Sequence, residues 1–243
     1  MRKIKFTFLL ALATLTFSMS AQETEPKNCK IAAGADFASM YLWRGFNLGN
    51  SPAIQPWAEF SYKGLSVGAW GSYDFTNTYK EVDVYAKYTY KTFSLIFTDL
   101  FSPSFDDLDK DYYNFTGDTS SHVSELGLSF NGSEKIPFSV SGGVILYGLA
   151  FDHKVNDPTK LNYSSYFEAN YLGNLGEFAY NVFAGFTPTE SIFYATDGFA
   201  FLNVGLSAKK EIKVTESFAL PIKLTLATNP NSKEVFLAML LSL

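Results

Sequence analysis

Short segments in which apolar and polar residues alternate recur along almost the whole chain. In the clearest of them, residues 81–90, Val82 and Val84 on one side alternate with Glu81 and Asp83 on the other. Successive side chains of a β-strand point to opposite faces, so this pattern predicts a strand with one apolar and one polar face. We count twelve such segments: 31–45, 54–62, 65–75, 81–90, 93–101, 122–130, 136–148, 163–172, 177–187, 199–209, 218–228 and 235–243. With no long amphipathic helix pattern and no linker, the chain is predicted to be one all-β domain.

The connections between these segments are short and long in turn. Lys63-Gly64 and Lys91-Thr92 are tight, whereas residues 102–121 and 149–162 are long. Short turns at one end and long loops at the other are typical of an outer-membrane barrel whose two termini lie in the periplasm. The pattern therefore predicts an all-β fold, a transmembrane antiparallel up-and-down barrel of about 12 strands over residues 31–243.

Composition favours a membrane barrel over a soluble one. The chain has 24 Phe and 15 Tyr but a mean hydropathy of only +0.02, far too low for a bundle of membrane helices. A secreted β-sandwich or lipocalin-like barrel would also alternate, but here it would carry a polar interior and an apolar coat. The last segment, residues 235–243, is apolar at every second position and resembles the terminal strand that barrel-insertion machinery recognises, although Leu243 replaces the usual aromatic residue.

The N-terminus has the features of a secretory signal peptide. Three basic residues precede an apolar stretch over residues 6–17, which ends in small residues before Gln22. A membrane anchor would need about 20 apolar residues, more than this stretch contains. We expect residues 1–21 to be removed after Ala21, leaving a short periplasmic tail over residues 22–30. The predicted location is the outer membrane of a Gram-negative cell, and the predicted partners are outer-membrane lipid, lipopolysaccharide and the insertion machinery.

Charge and cysteine content exclude several function classes. The formal charge is −5, and the signal peptide carries three of the bases, so the mature chain is more acidic still. A nucleic-acid partner would require a basic face. The single cysteine, Cys29, cannot form an internal disulfide and lies too far from the cleavage point to be lipidated. No nucleotide, phosphate or other cofactor motif and no metal cluster is present in the sequence, so we predict neither cofactor nor metal.

Two parts of the chain carry a family resemblance. The first predicted strand ends in Tyr-Leu-Trp-Arg-Gly-Phe at residues 41–46, and the C-terminal hairpin contains Leu220-Pro221, Asn229-Pro230 and Val235-Phe236. In these motifs the chain resembles the TorF-type putative porins, in particular members from Bacteroidetes-type bacteria. The resemblance covers about a quarter of the chain. It implies an outer-membrane, porin-like barrel and no particular solute.

The alternation also assigns residues to the inside of the barrel. If aromatic positions face lipid, Phe37, Tyr41 and Trp43 point outward, with Trp43 a membrane-interface anchor, and Arg44 points into the lumen. The same argument places six acids and three bases inside, as pore-lining candidates: Asp36, Arg44, Glu59, Glu81, Asp83, Lys87, Glu125, Glu168 and Lys223. This surplus of acids predicts a cation-leaning lumen for the passive or facilitated passage of small solutes. The alternative is a lattice of structural salt bridges filling a narrow, closed barrel with a structural or adhesive role.

One segment suggests an enzyme. His122-Val123-Ser124 resembles the His-x-Ser of outer-membrane phospholipases and lipid A deacylases, and the alternation would set His122 and Ser124 on the lipid-facing side, with Asp99 able to orient the histidine. The phospholipases continue with Asn-Gly, whereas Glu125-Leu126 follows here. We therefore predict no enzymatic activity and keep a lipid hydrolase as the alternative.

The acidic loop from Asp107 to Asp118 has the carboxylate spacing of a calcium-binding loop. Tyr112 stands where such a loop needs glycine for its sharp turn. We interpret the loop as a solvated acidic segment.

Overall fold

The computed structural model describes residues 29–105, 107–133, 135–216 and 218–243. The predicted signal peptide, residues 1–21, and the first seven residues of the predicted tail lie outside the described residues. No helix long and apolar enough to cross a bilayer occurs in the part of the chain that is described. The strands are β1 (Cys29–Ala38), β2 (Leu42–Trp43), β3 (Phe46–Asn47), β4 (Ala53–Tyr62), β5 (Leu65–Asp74), β6 (Lys80–Tyr90), β7 (Phe93–Phe101), β8 (His122–Phe130), β9 (Phe138–Tyr147), β10 (His153–Lys154), β11 (Asp157–Leu161), β12 (Ser165–Leu175), β13 (Phe178–Thr187), β14 (Ala200–Lys213), β15 (Ala219–Asn229) and β16 (Glu234–Ser242).

Twelve of these strands close into a barrel, which confirms the predicted fold class. Their order around the wall is β1, β16, β15, β14, β13, β12, β9, β8, β7, β6, β5 and β4, and neighbouring strands run antiparallel. The remaining strands form two small hairpins, β2 with β3 and β10 with β11, in the connections at the long-loop end. The last strand pairs with the first, so the sheet closes on itself.

The wall is apolar outside and polar inside. On β6 the outward side chains of Val84, Tyr88 and Tyr90 are 39%, 51% and 61% exposed, whereas the inward-facing Glu81 is only 3% exposed. The other wall strands present large apolar residues to the outside in the same way. A coat of this kind, over a polar interior, is the arrangement of a barrel surrounded by lipid.

The tight turns follow from local backbone conformation. Lys63 and Gly64 both have positive φ, 49° and 87°, and join Tyr62 to its partner Leu65. Two central residues with positive φ are those of the two-residue hairpin turn whose twist matches that of the strands. At Gly64 a side chain would also collide with the wall, since a Cβ there would lie 2.6 Å from the Thr89 carbonyl oxygen.

The first predicted strand differs most from the structure. β1 ends at Ala38 instead of running to residue 45, and the chain bends at residues 39–40. Residues 41–48 then form a hairpin, with β2 and β3 joined by Arg44 and Gly45 at φ values of 49° and 81°. We call residues 41–48 the lumen hairpin, because Tyr41 donates a hydrogen bond of 2.7 Å to inward-facing Glu81.

The predicted outward orientation of Tyr41 and Trp43 is therefore wrong. Tyr41 is 8% exposed. The Trp43 ring packs edge-on against Phe193 and is stacked with Tyr194, so it is not a membrane-interface anchor. The physical reason is that the chain leaves the wall at the bend of residues 39–40, and the positive φ values at Arg44 and Gly45 then turn it back inside the barrel.

Candidate functional site

Arg44, at the tip of the lumen hairpin, is held by an inward-facing acid. Its guanidinium donates two hydrogen bonds to the Glu125 carboxylate, of 2.6 and 2.7 Å, and a third of 2.6 Å to the Tyr194 hydroxyl. The guanidinium carbon also lies 4.6 Å from the ring centroids of Trp43 and Tyr166. A bidentate ion pair and contact with two aromatic rings hold the guanidinium firmly in one position. Arg44 therefore lies in the lumen, where its orientation was predicted, but it is paired.

Contacts from β14 and β15 fix the tip of the hairpin. The Gly45 carbonyl accepts a hydrogen bond of 3.2 Å from the buried Asn229 amide at the end of β15. A Cβ at Gly45 would lie 1.8 Å from the Leu202 carbonyl oxygen, so only glycine allows this approach. The tip of the hairpin thus contacts β15 and β14, which lie two and three strands from β1 around the wall.

Two of the predicted acids, Glu81 and Asp83, lie on the inner face of β6 beneath this hairpin. Glu81 accepts hydrogen bonds from the hydroxyls of Tyr41 and Tyr79. Asp83 Oδ1 is buried and accepts no hydrogen bond from the described residues. No cation of the described ion pairs faces these two acids, so this side of the lumen carries carboxyl groups without a paired cation.

A second charge cluster lies nearer the short-turn end. Lys87 donates to Glu59 at 3.0 Å, and the hydroxyls of Tyr85 and Ser61 donate to the same carboxylate at 3.0 and 2.9 Å. The Lys87 and Glu59 side chains remain 33% and 22% exposed. These two predicted residues come together as a water-accessible pair.

The other predicted residues lie on the side of the lumen formed by β1 and β12 to β15. Glu168 accepts hydrogen bonds of 2.6 Å from the Tyr166 hydroxyl and 2.8 Å from the Asn203 amide. Asp36 on β1 and Lys223 on β15 lie on either side of β16, and the described ion pairs include none between them. Glu59 and Lys87 belong to a separate cluster.

The lumen hairpin divides the interior into two cavities. A cavity of about 270 Å³ is bounded by β1, β13, β14, β15 and β16, and one of about 380 Å³ is bounded mainly by β7, β8, β9 and β12. Both cavities are lined by Leu42, Arg44, Glu168 and Asn203. Arg44 consequently stands at the boundary between two cavities in the barrel.

The mouth at the long-loop end contains a third, more apolar cavity of about 370 Å³. It is lined by Trp43, Phe46, Phe105, Phe151 and Phe193, which come from the hairpin and three loops. Next to Phe151, the fully buried Asp152 accepts a backbone hydrogen bond of 3.0 Å from Ser164. Burial raises the pKa of the Asp152 carboxyl, while hydrogen bonds from Ser164 oppose this rise. The loops therefore form a packed layer above the lumen.

The three residues of the hydrolase alternative, Asp99, His122 and Ser124, also lie close together, on the outer side of the wall. The His122 ring lies 2.7 Å from Asp99 through Nδ1 and 2.7 Å from the Tyr112 carbonyl oxygen through Nε2, and Ser124 donates to Asp99 at 3.0 Å. Both ring nitrogens thus face acceptor oxygens, and the serine bonds to the carboxylate instead of the imidazole. A serine nucleophile needs the imidazole as its base, so this arrangement does not activate Ser124.

Instead, this cluster holds a loop. His122 is fully buried, and its ring stacks on Phe115 at 4.1 Å between centroids and packs against Tyr112 at 5.1 Å. Both aromatic residues belong to the loop of residues 102–121. The geometry is that of an anchor that fastens this loop to the barrel wall.

The carboxylates of the acidic loop, residues 107–118, are not arranged around a common point. Asp109 accepts hydrogen bonds from the Asp111 backbone and the Asn114 amide, so its oxygens serve the loop itself. Across residues 29–105, 107–133, 135–216 and 218–243, no group of three or more His, Cys, Asp and Glu side chains is arranged to hold a metal ion.

Sequence reasoning missed the aromatic residues that complete the site. Tyr166, Tyr194 and Leu202 form a buried cluster against which Trp43 and Phe46 pack. A signal was present in Trp43-Arg44-Gly45-Phe46, because two residues ending in glycine between apolar residues are typical of a tight hairpin turn. No local signal marks Tyr194, which lies in the connection between β13 and β14.

Comparison with known proteins leaves the family open. No family model matches the chain, and no curated protein matches its sequence. Among solved structures the chain is similar to an outer membrane channel from Pseudomonas putida F1, with a TM-score of 0.41 and 10% sequence identity over 92% of this chain and 97% of that one. A likeness this distant carries no argument about function. The structure itself shows the fold, which is a closed barrel of twelve strands with an apolar outer surface.

Proposed function

We propose that this protein is a porin-like barrel of the Gram-negative outer membrane that allows passive or facilitated passage of small solutes. The observation that carries the proposal is a polar, charged interior that continues as a cavity on either side of Arg44, inside a wall whose outer surface is apolar. Export through a cleaved signal peptide, contact with lipid and lipopolysaccharide, and assembly by the insertion machinery belong to the same proposal. So does membership of the TorF-type porins, which rests on residues 41–46 and on the C-terminal motifs Leu220-Pro221, Asn229-Pro230 and Val235-Phe236.

We further propose that the lumen prefers cations. Arg44 is neutralised by Glu125 and Lys87 by Glu59, whereas Glu81 and Asp83 face no cation of the described ion pairs. In a narrow pore with a low-dielectric wall, a small surplus of one charge biases permeation.

The test is conductance of the purified protein in a planar bilayer, with the reversal potential measured across a salt gradient. We expect a cation-selective parent, a larger cation preference in Arg44→Ala, and a smaller one in Glu59→Gln and Asp83→Asn. Glu216→Gln, in the exposed turn after β14, is the matched control and should leave the reversal potential unchanged. An anion-selective parent, or shifts opposite to the charge change, would contradict the assigned lumen.

The same recordings address the closed structural barrel. The lumen hairpin narrows the interior, and a parent that never conducts would favour that alternative. A lipid hydrolase is the weaker alternative, because Ser124 bonds to Asp99 and the His122 Nε2 atom is occupied by a backbone carbonyl.

A further inference from the structure

The barrel is closed by a short seam between its first and last strands. β1 pairs with β4 over ten residues but with β16 over only three, Asp36 to Ala38 opposite Leu240 to Ser242. Hydrogen bonds from Ala35 to Leu243 and from Ser39 to Met239 extend this contact by one residue at each end. Above Ser39 the chain turns inward, so the upper part of β16 loses its neighbour.

This leaves an unpaired strand edge. Over residues 234–238, β16 pairs only with β15 among the described residues. In an antiparallel strand every second residue directs its N–H and C=O to the same neighbour, and Met239 and Leu243 bond to the β1 side. The backbone groups of Val235 and Leu237 therefore point into the gap.

The gap lies at the level of the apolar coat. The side chains of Val235 and Leu237 are 69% and 68% exposed on the outer surface, and Phe37 packs against Phe75 on the other side of the seam. Lipid cannot satisfy unpaired backbone groups, and such backbone is tolerated at membrane depth only where it lines a watery space or is buried in protein. An edge in this position is therefore expected to line an opening.

The cavity of about 270 Å³ extends to this seam. It is lined by Glu168, Asn203 and Lys223 from the lumen and by Met40, Ala238 and Met239 at the seam. Met239 borders this space, and its backbone N–H and C=O are bonded to Ser39. The cavity therefore reaches the inner side of the seam, beside the unpaired edge of Val235 and Leu237.

We propose that this seam is a lateral opening through which single-chain amphipathic molecules with an uncharged, hydroxylated head group pass between the lumen and the outer leaflet. The proposal rests on the proposed channel function and names its substrate class. The charged side chains that line the cavity are of both signs: Arg44 is paired with Glu125, and Glu168 and Lys223 carry opposite charges. A lining without an excess of one charge disfavours a charged head group. Asn203, Ser207 and Thr225 offer hydrogen bonds to hydroxyls, and Met40, Met239 and Leu240 offer apolar contact to a chain. The volume is at the lower limit of ligand pockets, which fits one chain.

The opening is tested with a fluorescent thiol label at single cysteines, in proteoliposomes and in a Cys29→Ser background, because Cys29 is exposed. Iodide serves as the aqueous quencher and a lipid brominated in its acyl chain as the membrane quencher. We expect both to quench the label at Met40→Cys and at Ala238→Cys, which lie on the two edges of the opening. Asn181→Cys, which lines the same cavity away from the seam, should respond to iodide alone, and the outward-facing Leu224→Cys to brominated lipid alone.

Ligand class is tested on the same labelled Met40→Cys protein. A monoacylglycerol should shift the label's emission, whereas a diacyl lipid and an alkyl trimethylammonium should not. Quenching of both seam positions by iodide alone would overturn the opening, and so would quenching by lipid alone. A response to the cationic amphiphile in place of monoacylglycerol would overturn the head-group assignment. These readouts do not depend on ion conductance, so a non-conducting barrel would contradict the channel function without deciding the opening.

Discussion

Replacement of Arg44 by alanine tests what holds the hairpin in the lumen. The change removes both prongs of the ion pair and leaves the Glu125 carboxylate, only 15% exposed, without its cation. Removing one partner of a buried ion pair typically costs about 3–5 kcal/mol. The barrel wall does not include residues 41–48, so we expect the cost to weaken hairpin docking while the wall remains folded.

Hydrogen exchange of the backbone amides over residues 39–52 measures this docking. At about 1.4 kcal/mol for each factor of ten, the exchange in Arg44→Ala should accelerate by a factor of about 100 to about 4000. Amides of β5 and β6, in the wall, should exchange as in the parent. Acceleration by less than about tenfold would mean that ring packing and the Gly45 contact hold the hairpin without the ion pair.

Two further variants separate the ion pair from general damage. In Arg44→Ala with Glu125→Ala no charge is left uncompensated, so the exchange should return most of the way to the parental rate. Lys87→Ala breaks the more exposed pair with Glu59, which is expected to contribute at most about 1 kcal/mol and does not touch the hairpin. Its exchange over residues 39–52 should equal that of the parent.

Other predictions concern the wall and the outer loop. Because a closed barrel keeps its wall hydrogen bonds internal, unboiled and boiled samples should migrate differently in SDS gels, and equal mobility together with recovery in the soluble periplasmic fraction would contradict a membrane barrel. Ser124→Ala should leave the cell's lysophospholipid and lipid A composition unchanged; a fall in deacylated products would instead favour the hydrolase. His122→Ala removes the anchor of residues 102–121, so trypsin should cleave after Lys110 faster than in the parent or in Ser124→Ala, and equal rates would refute the anchoring role.

Strand positions could be predicted closely because they depend on local alternation. β7 and β8 begin and end at the predicted residues, Phe93–Phe101 and His122–Phe130. The phase argument also placed Asp99 with His122 and Ser124, and in the structure Asp99 is the direct cross-strand partner of Ser124. A residue's face is fixed by its strand, and its neighbours by the register, so both follow from the pattern.

The contents of the lumen could not be predicted in this way. Arg44 was assigned to the interior, but its partners Glu125 and Tyr194 lie 81 and 150 residues further along the chain. The pattern assigns the faces of each strand, but it carries no information on which side chains meet across a barrel. The same holds for the hydrolase alternative. The alternation predicted that Asp99, His122 and Ser124 lie together, but it did not predict the hydrogen bonds that decide their chemistry.

The end of β1 shows how tertiary contacts override such a pattern. Had residues 39–45 continued as a strand beside β16, the backbone groups of Val235 and Leu237 would have gained hydrogen bonds, each contributing about 0.5–1.5 kcal/mol. The same extension would have turned Tyr41 and Trp43 outward and removed the Tyr41 bond to Glu81. It would also have separated Arg44 from Glu125. The carboxylate left without its cation would have cost about 3–5 kcal/mol of stability. The inward hairpin keeps these contacts and gains ring packing with Tyr194 and Phe193. The inward bend at residues 39–40, followed by the reversal at Arg44 and Gly45, therefore both narrows the lumen and leaves the seam open.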